Sequence, residues 1–378
     1  TNIKPEDIRI PEDVGKLPFL TKKDIQQNYN DIITEGYQKD KLLHFKTGGS
    51  TGTALQIFMS QECSDMKNAL TRMCDRWTGW NYGEPVGAVW GNISTIQGLK
   101  QRLRSILLLP YIYLDTMSIN DASVDEFCLQ WAKVWPTLLY GHAHSIYLLS
   151  KYLREKKDNR IRPKGIITSS MTLLDHEKVY IEDVLKAPVF NRYGCEEVSL
   201  IACECEKHNG LHINMLHLYV EFIKPDGSHA GPGEEGEIVV TDLLNKAMPF
   251  IRYKIGDVGV PSTNICSCGR GLALMERVSG RTADFMIKAD GTKVAGISLI
   301  ENTLTKFTGI EQMQILQKDL LNFIIRIVPS NDYTDEIDHL IMEFMRKTFN
   351  DEIIISVEKV DSILPEENGK YRFSICEI

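Results

Sequence analysis

Short apolar runs alternate with amphipathic stretches between residues 86 and 191, and this alternation sets the reading of the whole chain. Residues 86–90, 137–140, 165–168 and 189–191 read as buried strands bounded by turn or helix signals. Between them, Ser123-Val124-Asp125-Glu126 has the form of a capping box, and the helix it opens stops at Pro136. Residues 144–154 carry a second helical pattern, and Asp175 opens a third that runs towards Lys186. Strands alternating with helices predict a mostly parallel, doubly wound sheet, and ligands on such sheets bind beyond the carboxyl ends of the strands. Upstream, Pro5, Pro11 and Pro18 exclude a long opening helix. Thr21-Lys22-Lys23-Asp24 is a capping box for a short helix with Ile25 on its buried side. Ser60 caps a longer one, whose Met66, Leu70, Met73 and Trp77 follow an i, i+4, i+7, i+11 stripe expected to pack into the core.

After residue 200 the pattern changes. Strand-like runs at 211–223, 236–241 and 249–253 are separated by turn signals such as Pro225-Asp226-Gly227 and Gly231-Pro232-Gly233, which predicts a small antiparallel β region. From about 284 the chain restarts with short β runs around Asp290-Gly291 and a helix from Ser298. Strands at 310–317 and 321–328, a helix at 333–348 and a strand at 352–359 complete a compact α+β unit. The expected architecture is therefore α/β. Residues 1–280 form a large N-terminal domain with a doubly wound sheet and the β region at about 200–275, and residues 281–378 form a small, mobile C-terminal domain.

Composition changes this picture little. Over 378 residues, 43% are hydrophobic and 25% charged, ordinary values for a globular protein with a sizeable core. A formal charge of −8 argues against nucleic acid or an anionic membrane as the main partner. No apolar run reaches the ~20 residues that span a bilayer, and the sequence shows no export signal, so a cytoplasmic location is expected. Residue 1 is Thr, so the natural start is expected to lie upstream.

Candidate chemistry begins at Thr47-Gly48-Gly49-Ser50-Thr51-Gly52-Thr53, which follows the apolar run Leu42-Leu43-His44-Phe45. Successive backbone N–H groups in such a loop can form an anion nest, and its hydroxyls add donors for phosphate oxygens. A flexible hairpin turn is the alternative reading. No Gly-Lys-Ser/Thr follows the loop, so it is not a Walker A motif. Nine cysteines include two Cys-x-Cys pairs, which favours reduced thiols and a metal over a disulfide framework. Cys205-x-x-His208 and Cys266-x-Cys268 can each supply two ligands, enough for a closed, structural Zn²⁺ site. Cys203 is the substitute ligand and His212 a weaker candidate; ordinary buried thiols are the alternative.

Four later stretches decide the reading of the loop. Asn191-Arg192-Tyr193-Gly194-Cys195-Glu196-Glu197 leaves a predicted strand. Met248-Pro249-Phe250-Ile251-Arg252-Tyr253-Lys254-Ile255-Gly256-Asp257 follows another. Ser279-Gly280-Arg281-Thr282-Ala283-Asp284 and Leu364-Pro365-Glu366-Glu367-Asn368-Gly369-Lys370-Tyr371-Arg372 come after them. In order and spacing these stretches resemble the core motifs of the adenylate-forming superfamily of acyl-CoA synthetases. Within it the chain looks like the branch of phenylacetate–CoA ligases, coenzyme F390 synthetases and CapK-like proteins. The resemblance runs from Leu17-Pro18-Phe19-Leu20-Thr21-Lys22 to the C-terminus.

The resemblance implies an ATP-dependent ligase that activates a small carboxylic acid as an acyl-adenylate and passes it to coenzyme A. It implies that the loop Thr47 to Thr53 contacts the ATP phosphates, that Tyr193 and Gly194 border the nucleotide, and that Glu197 ligates Mg²⁺. It also implies that Asp257 accepts the ribose hydroxyls with Arg281 nearby, and that Lys370 reaches the carboxylate and α-phosphate during adenylation. Each role has a chemical reason, since a carboxylate attacking an α-phosphate needs cations to offset the developing charge. Two positions depart from the pattern: Glu196 stands where Thr or Ser is usual, and Ala283 where many members carry an Asp or Lys hinge. An adenylating enzyme with another acceptor, or a non-catalytic nucleotide-binding protein, are the competing readings. The acid pocket, expected between about 86 and 170, shows no decisive determinant, and the oligomeric state stays open, with a homodimer among the options.

Overall fold

The computed structural model describes residues 3–29, 31–46, 55–90, 110–115, 120–281, 285–291, 293–295 and 309–364. It also describes 372–378 and single positions 299, 300, 303 and 307. The strands begin with the hairpin β1 (Leu43–Lys46) and β2 (Gln56–Met59). Then come β3 (Val86–Trp90), β4 (Tyr111–Asp115), β5 (Leu138–His142), β6 (Gly165–Ser169) and β7 (Val189–Cys195). The next six are β8 (Ser199–Glu204), β9 (Leu211–Ile213), β10 (Leu218–Ile223), β11 (Gly236–Asp242), β12 (Tyr253–Ser262) and β13 (Leu274–Arg281). A hairpin of β14 (Phe285–Ile287) and β15 (Lys293–Ala295) precedes β16 (Ile310–Gln317), β17 (Asn322–Pro329), β18 (Ile354–Lys359) and β19 (Ser374–Cys376).

Among the described residues one large sheet runs β10-β11-β12-β13-β9-β8-β7-β6-β5-β3-β4. The strands from β4 to β7 pair in parallel, and from β7 onward every pairing is antiparallel. The β region is therefore continuous with the parallel sheet, and β7 joins the two halves. Helices Asp121–Val134, Ala143–Glu155 and Asp175–Leu185 alternate with the parallel strands. Their buried Phe127, Trp131, Ile146, Leu149, Ile181 and Leu185 form one core cluster with Val89, Leu139 and Ile166. The chain runs from β3 outward to β4 and returns on the other side of β3 to β5. The strand order thus reverses between β3 and β5, the place where open α/β sheets open a ligand crevice.

Several expectations need correction. The capping residue of helix Asp121–Val134 is Asn120, whose Oδ1 accepts from Ser123 N at 3.1 Å; Ser123 is already inside the first turn. The run expected as a strand at 249–253 becomes strand only from Tyr253, and the single run 211–223 is two strands. Of the expected stripe, Met66 and Met73 on helix Gln61–Asp75 point outward, while Trp77 beyond its end packs against the buried cysteine clusters. Met66 is 48% exposed while Lys67 and Asp75 on the opposite side are buried. Ion pairs explain the inversion: Lys67 Nζ lies 2.6 Å from Asp242 Oδ2, and Asp75 holds two arginines.

The remaining strands build a second sheet, β18-β17-β16-β19, covered by helix Asp335–Thr348 through Ile337, Ile341 and Met345. Burying each of these side chains contributes about 1.5–3 kcal/mol. Leu174, which belongs to the large sheet's side of the molecule, is buried in this cluster. No helix among the described residues is long and apolar enough to cross a membrane.

Candidate active site

The motif residues of β7 and β12 meet. Tyr193 Oη donates to Asp257 Oδ2 at 2.7 Å, and Tyr253 Oη donates to Glu197 Oε1 at 3.2 Å. Asp257 faces Arg281 directly across the β12–β13 ladder, so the backbone brings those two positions together. Register between β11 and β12 shifts beside Gly256, whose φ of +86° is open to glycine, and this bulge re-aims Asp257 within its strand. At Gly194 a Cβ would lie 2.5 Å from the Ser199 carbonyl oxygen, so only glycine lets β7 and β8 close at this bend. Burial, with Glu197 beside it, keeps the Cys195 thiol well above its ordinary pKa. Thr47 to Thr53, Ala283 and Lys370 lie outside the described residues, and of Arg281 only the backbone is described.

Beyond the carboxyl ends of the parallel strands lies a cavity of about 320 Å³, bordered by Trp90, Tyr140, Ser169, Gly194 and Glu196. Trp90 and Tyr140 stack at 5.0 Å across the crevice between β3 and β5. A smaller chamber of about 150 Å³ adjoins it, sharing Asn68, Thr71, Tyr140 and Arg192. Helix Gln61–Asp75 supplies one wall of both through Ser64, Lys67, Asn68, Thr71, Arg72 and Asp75. These positions follow i, i+3, i+4, i+7, i+8 and i+11, so one helical face is polar and turned inward.

The second sheet docks beside this crevice. His144, at the start of the helix that follows β5, holds Glu177 Oε1 through Nδ1 at 2.6 Å. Its Nε2 lies 3.1 Å from Gln312 Nε2 on β16, and its ring meets Phe373 edge-on at 5.2 Å. Gln312 Oε1 accepts from Ile363 N at 3.1 Å, and Gln314 Nε2 donates to the Arg372 carbonyl at 2.6 Å. The flanks of the stretch 365–371 are thus both held on β16, and β16 touches the large sheet's side through His144.

The cysteine pairs also meet, with a different fourth member. Cys205, His212, Cys266 and Cys268 present ligand atoms that all lie within 4.8 Å of one another. Cys205 Sγ and Cys266 Sγ are 3.6 Å apart, and Cys268 Sγ is 3.4 Å from His212 Nε2. A tetrahedral zinc ion, with bonds of roughly 2.3 Å to sulfur, fits such spacings. Arg270, by its backbone and guanidinium, overcomes burial and brings the Cys268 thiol down to about 7; burial pushes Cys205 up to about 12. His208 is not in the group. Its left-handed φ of 51° ends the turn so that Nδ1 meets Glu204 Oε2 at 3.2 Å and the ring packs on Phe190. Cys203 lies in a separate cluster with Cys74 and Leu200.

A phenylacetate–coenzyme A ligase of Aromatoleum evansii is 32% identical over 329 residues, covering 84% of this chain and 71% of that protein. The chain belongs to the phenylacetate–coenzyme A ligase family. Protein CapK of Staphylococcus aureus is 26% identical over 97% of this chain and 80% of its own length. Residues 286–377, which hold most of β14 to β19, match the CapK C-terminal domain. A crystal structure of a 2-hydroxyisobutyryl-CoA ligase in the postadenylation state, with R3-HIB-AMP, superposes with a TM-score of 0.78. That match covers 99% of this chain and 83% of the other at 18% identity. The same ligase in the thioesterification state superposes at 0.63. Two features of this family member escaped the sequence, the inward polar helix face and the His144 contact, and His212, the weaker candidate there, takes the ligand position expected of His208. All depend on which way a side chain points, and periodicity alone does not fix that.

Proposed function

We propose that this member of the phenylacetate–coenzyme A ligase family is an AMP-forming acid–thiol ligase, converting a small carboxylic acid to its acyl-adenylate and then to a coenzyme A thioester. The observation that carries the proposal is the meeting of Tyr193, Asp257, Glu197 and the Arg281 backbone at the β7–β12 junction, beside the crevice where the strand order reverses. In this reading Asp257, oriented by Tyr193, accepts the ribose hydroxyls, with Arg281 alongside. Glu197, oriented by Tyr253, supplies a carboxylate to Mg²⁺, which neutralises phosphate charge when bound. The loop Thr47 to Thr53 holds the phosphates, and Lys370 offsets charge as the carboxylate attacks. Residues 281–378 act as the lid domain on the body 1–280, and the better superposition on the postadenylation state supports a lid placed for the first half-reaction. Cys205, His212, Cys266 and Cys268 hold a structural zinc, since four protein ligands leave no position for a reacting water.

A second acceptor remains in play for one stated reason: the stretch that would face the acceptor matches the CapK C-terminal domain. Pyrophosphate release measured over a panel of acids, with and without coenzyme A, tests both. Acid-dependent release with thioester formation is expected. Acid-dependent release without a thioester would move the acceptor elsewhere, and no release with any acid would end the ligase reading.

A further inference from the structure

Among the described residues, the inner chamber carries more positive than negative charge. Its walls are mixed: Val86, Leu138 and Ile167 lie beside Asn68 and Thr71, and two guanidinium groups and one carboxylate face it. Asp75, with its side chain 2% exposed, is shared by both arginines: Oδ2 accepts from Arg72 at 3.1 Å and Oδ1 from Arg192 at 2.8 Å. Arg72 also donates to Tyr111 Oη at 2.9 Å and Arg192 to Tyr140 Oη at 3.0 Å. These bonds use two of the five N–H donors of each guanidinium. Lys67 on the same helix face does not add to the surplus, because Asp242 neutralises it at 2.6 Å. Glu196 borders the outer cavity and does not line this chamber. Among the described lining residues, two arginines against one aspartate leave a single excess positive charge. A buried charge of that kind is costly unless an anion pairs with it.

An aromatic or simple aliphatic acid offers nothing to this surplus. Its carboxylate is consumed in the adenylation step at the outer cavity, and its tail would meet the arginine, asparagine and threonine side chains of the inner chamber. A second carboxylate at the far end of the acid would supply the missing charge, and guanidinium forks match carboxylates geometrically. We propose that the acid activated here is a short dicarboxylic acid, whose second carboxylate is received in the inner chamber by Arg72 and Arg192. This rests on the ligase reading above and narrows its substrate class. Arg192 lies deeper, with its side chain 17% exposed against 34% for Arg72, so Arg192 anchors the group and Arg72 closes over it.

The test is ATP–pyrophosphate exchange by the full chain with length-matched acids: butanoate against succinate, pentanoate against glutarate, hexanoate against adipate, with 4-hydroxybutanoate and phenylacetate alongside. One diacid should exceed its matched monoacid in kcat/KM by roughly tenfold or more, because a site built for a polar group rejects the analogue lacking it. In Arg72→Met that ratio should fall towards one, mainly through the KM of the diacid, and Arg72→Lys should recover part of it. A wild-type preference for a monoacid, for 4-hydroxybutanoate or for phenylacetate would overturn the proposal, and so would a ratio that Arg72→Met leaves unchanged. If Arg72→Met does not fold, the wild-type ratio decides alone. Exchange with none of these acids, where a wider panel does release pyrophosphate, refutes the dicarboxylate class and spares the ligase. Silence across the wider panel removes both.

Discussion

At Asp257 a buried carboxylate sits on a bulged strand, fed by a tyrosine hydroxyl and facing an arginine position, although most aspartates after a glycine only form turns. Removing it should weaken ATP and AMP binding together. Asp257→Ala should cost about 1.5–3 kcal/mol in each, the scale of hydrogen bonds to a charged group, or roughly ten- to a hundredfold in Kd by calorimetry. A variant that binds both nucleotides like the parent would free Asp257 of that role. The cysteine group makes an equally local prediction. Elemental analysis should find about one zinc per chain; His212→Ala should lose it and His208→Ala should keep it, because His212 and not His208 faces the three thiols. Loss from His208→Ala alone would restore the spacing-based ligand set. Cys266→Ser should lower Tm before it lowers affinity for ATP.

Helix Gln61–Asp75 shows where reading by element succeeds and where it stops. Its start was legible, since Ser60 Oγ accepts from Cys63 N at 3.1 Å as a capping residue should. Its facing was not. An apolar stripe ordinarily marks the core side, but here the buried side is the one whose charges find partners from other elements, and those partners are distant in sequence. The second sheet was legible almost strand for strand because its runs are local and its helix buries a regular i, i+4, i+8 face. Strands β8 and β13 were missed because they carry Cys, Glu and Arg among their apolar residues and depend on neighbouring strands for pairing. The inverted helix yields a stability prediction. Lys67→Ala should cost about 3–5 kcal/mol in denaturant unfolding, since it strands a buried Asp242, whereas Met66→Gln should stay within about 0.5 kcal/mol. Equal effects at the two positions would mean that the helix faces as its apolar stripe suggests.

Across the whole molecule, the glycine-rich loop and the final motif lie at opposite ends of the chain, so the second sheet must dock for them to act together. The chain Glu177–His144–Gln312–Ile363 provides one such dock, and it ties the crevice side of the large sheet to the flank of the stretch that contains Lys370. Under the proposed function, a lid held this way would serve adenylation, and transfer to coenzyme A would use a different face of the same unit. The most direct test is to measure the two half-reactions of Lys370→Ala separately. Adenylate formation should fall by on the order of a hundredfold or more, the scale of losing one charge contact in the transition state. Transfer from a chemically supplied acyl-adenylate to coenzyme A should stay within a few-fold of the parent. Equal losses in both steps would make Lys370 a folding or docking residue, and no loss in either would contradict the ligase account itself.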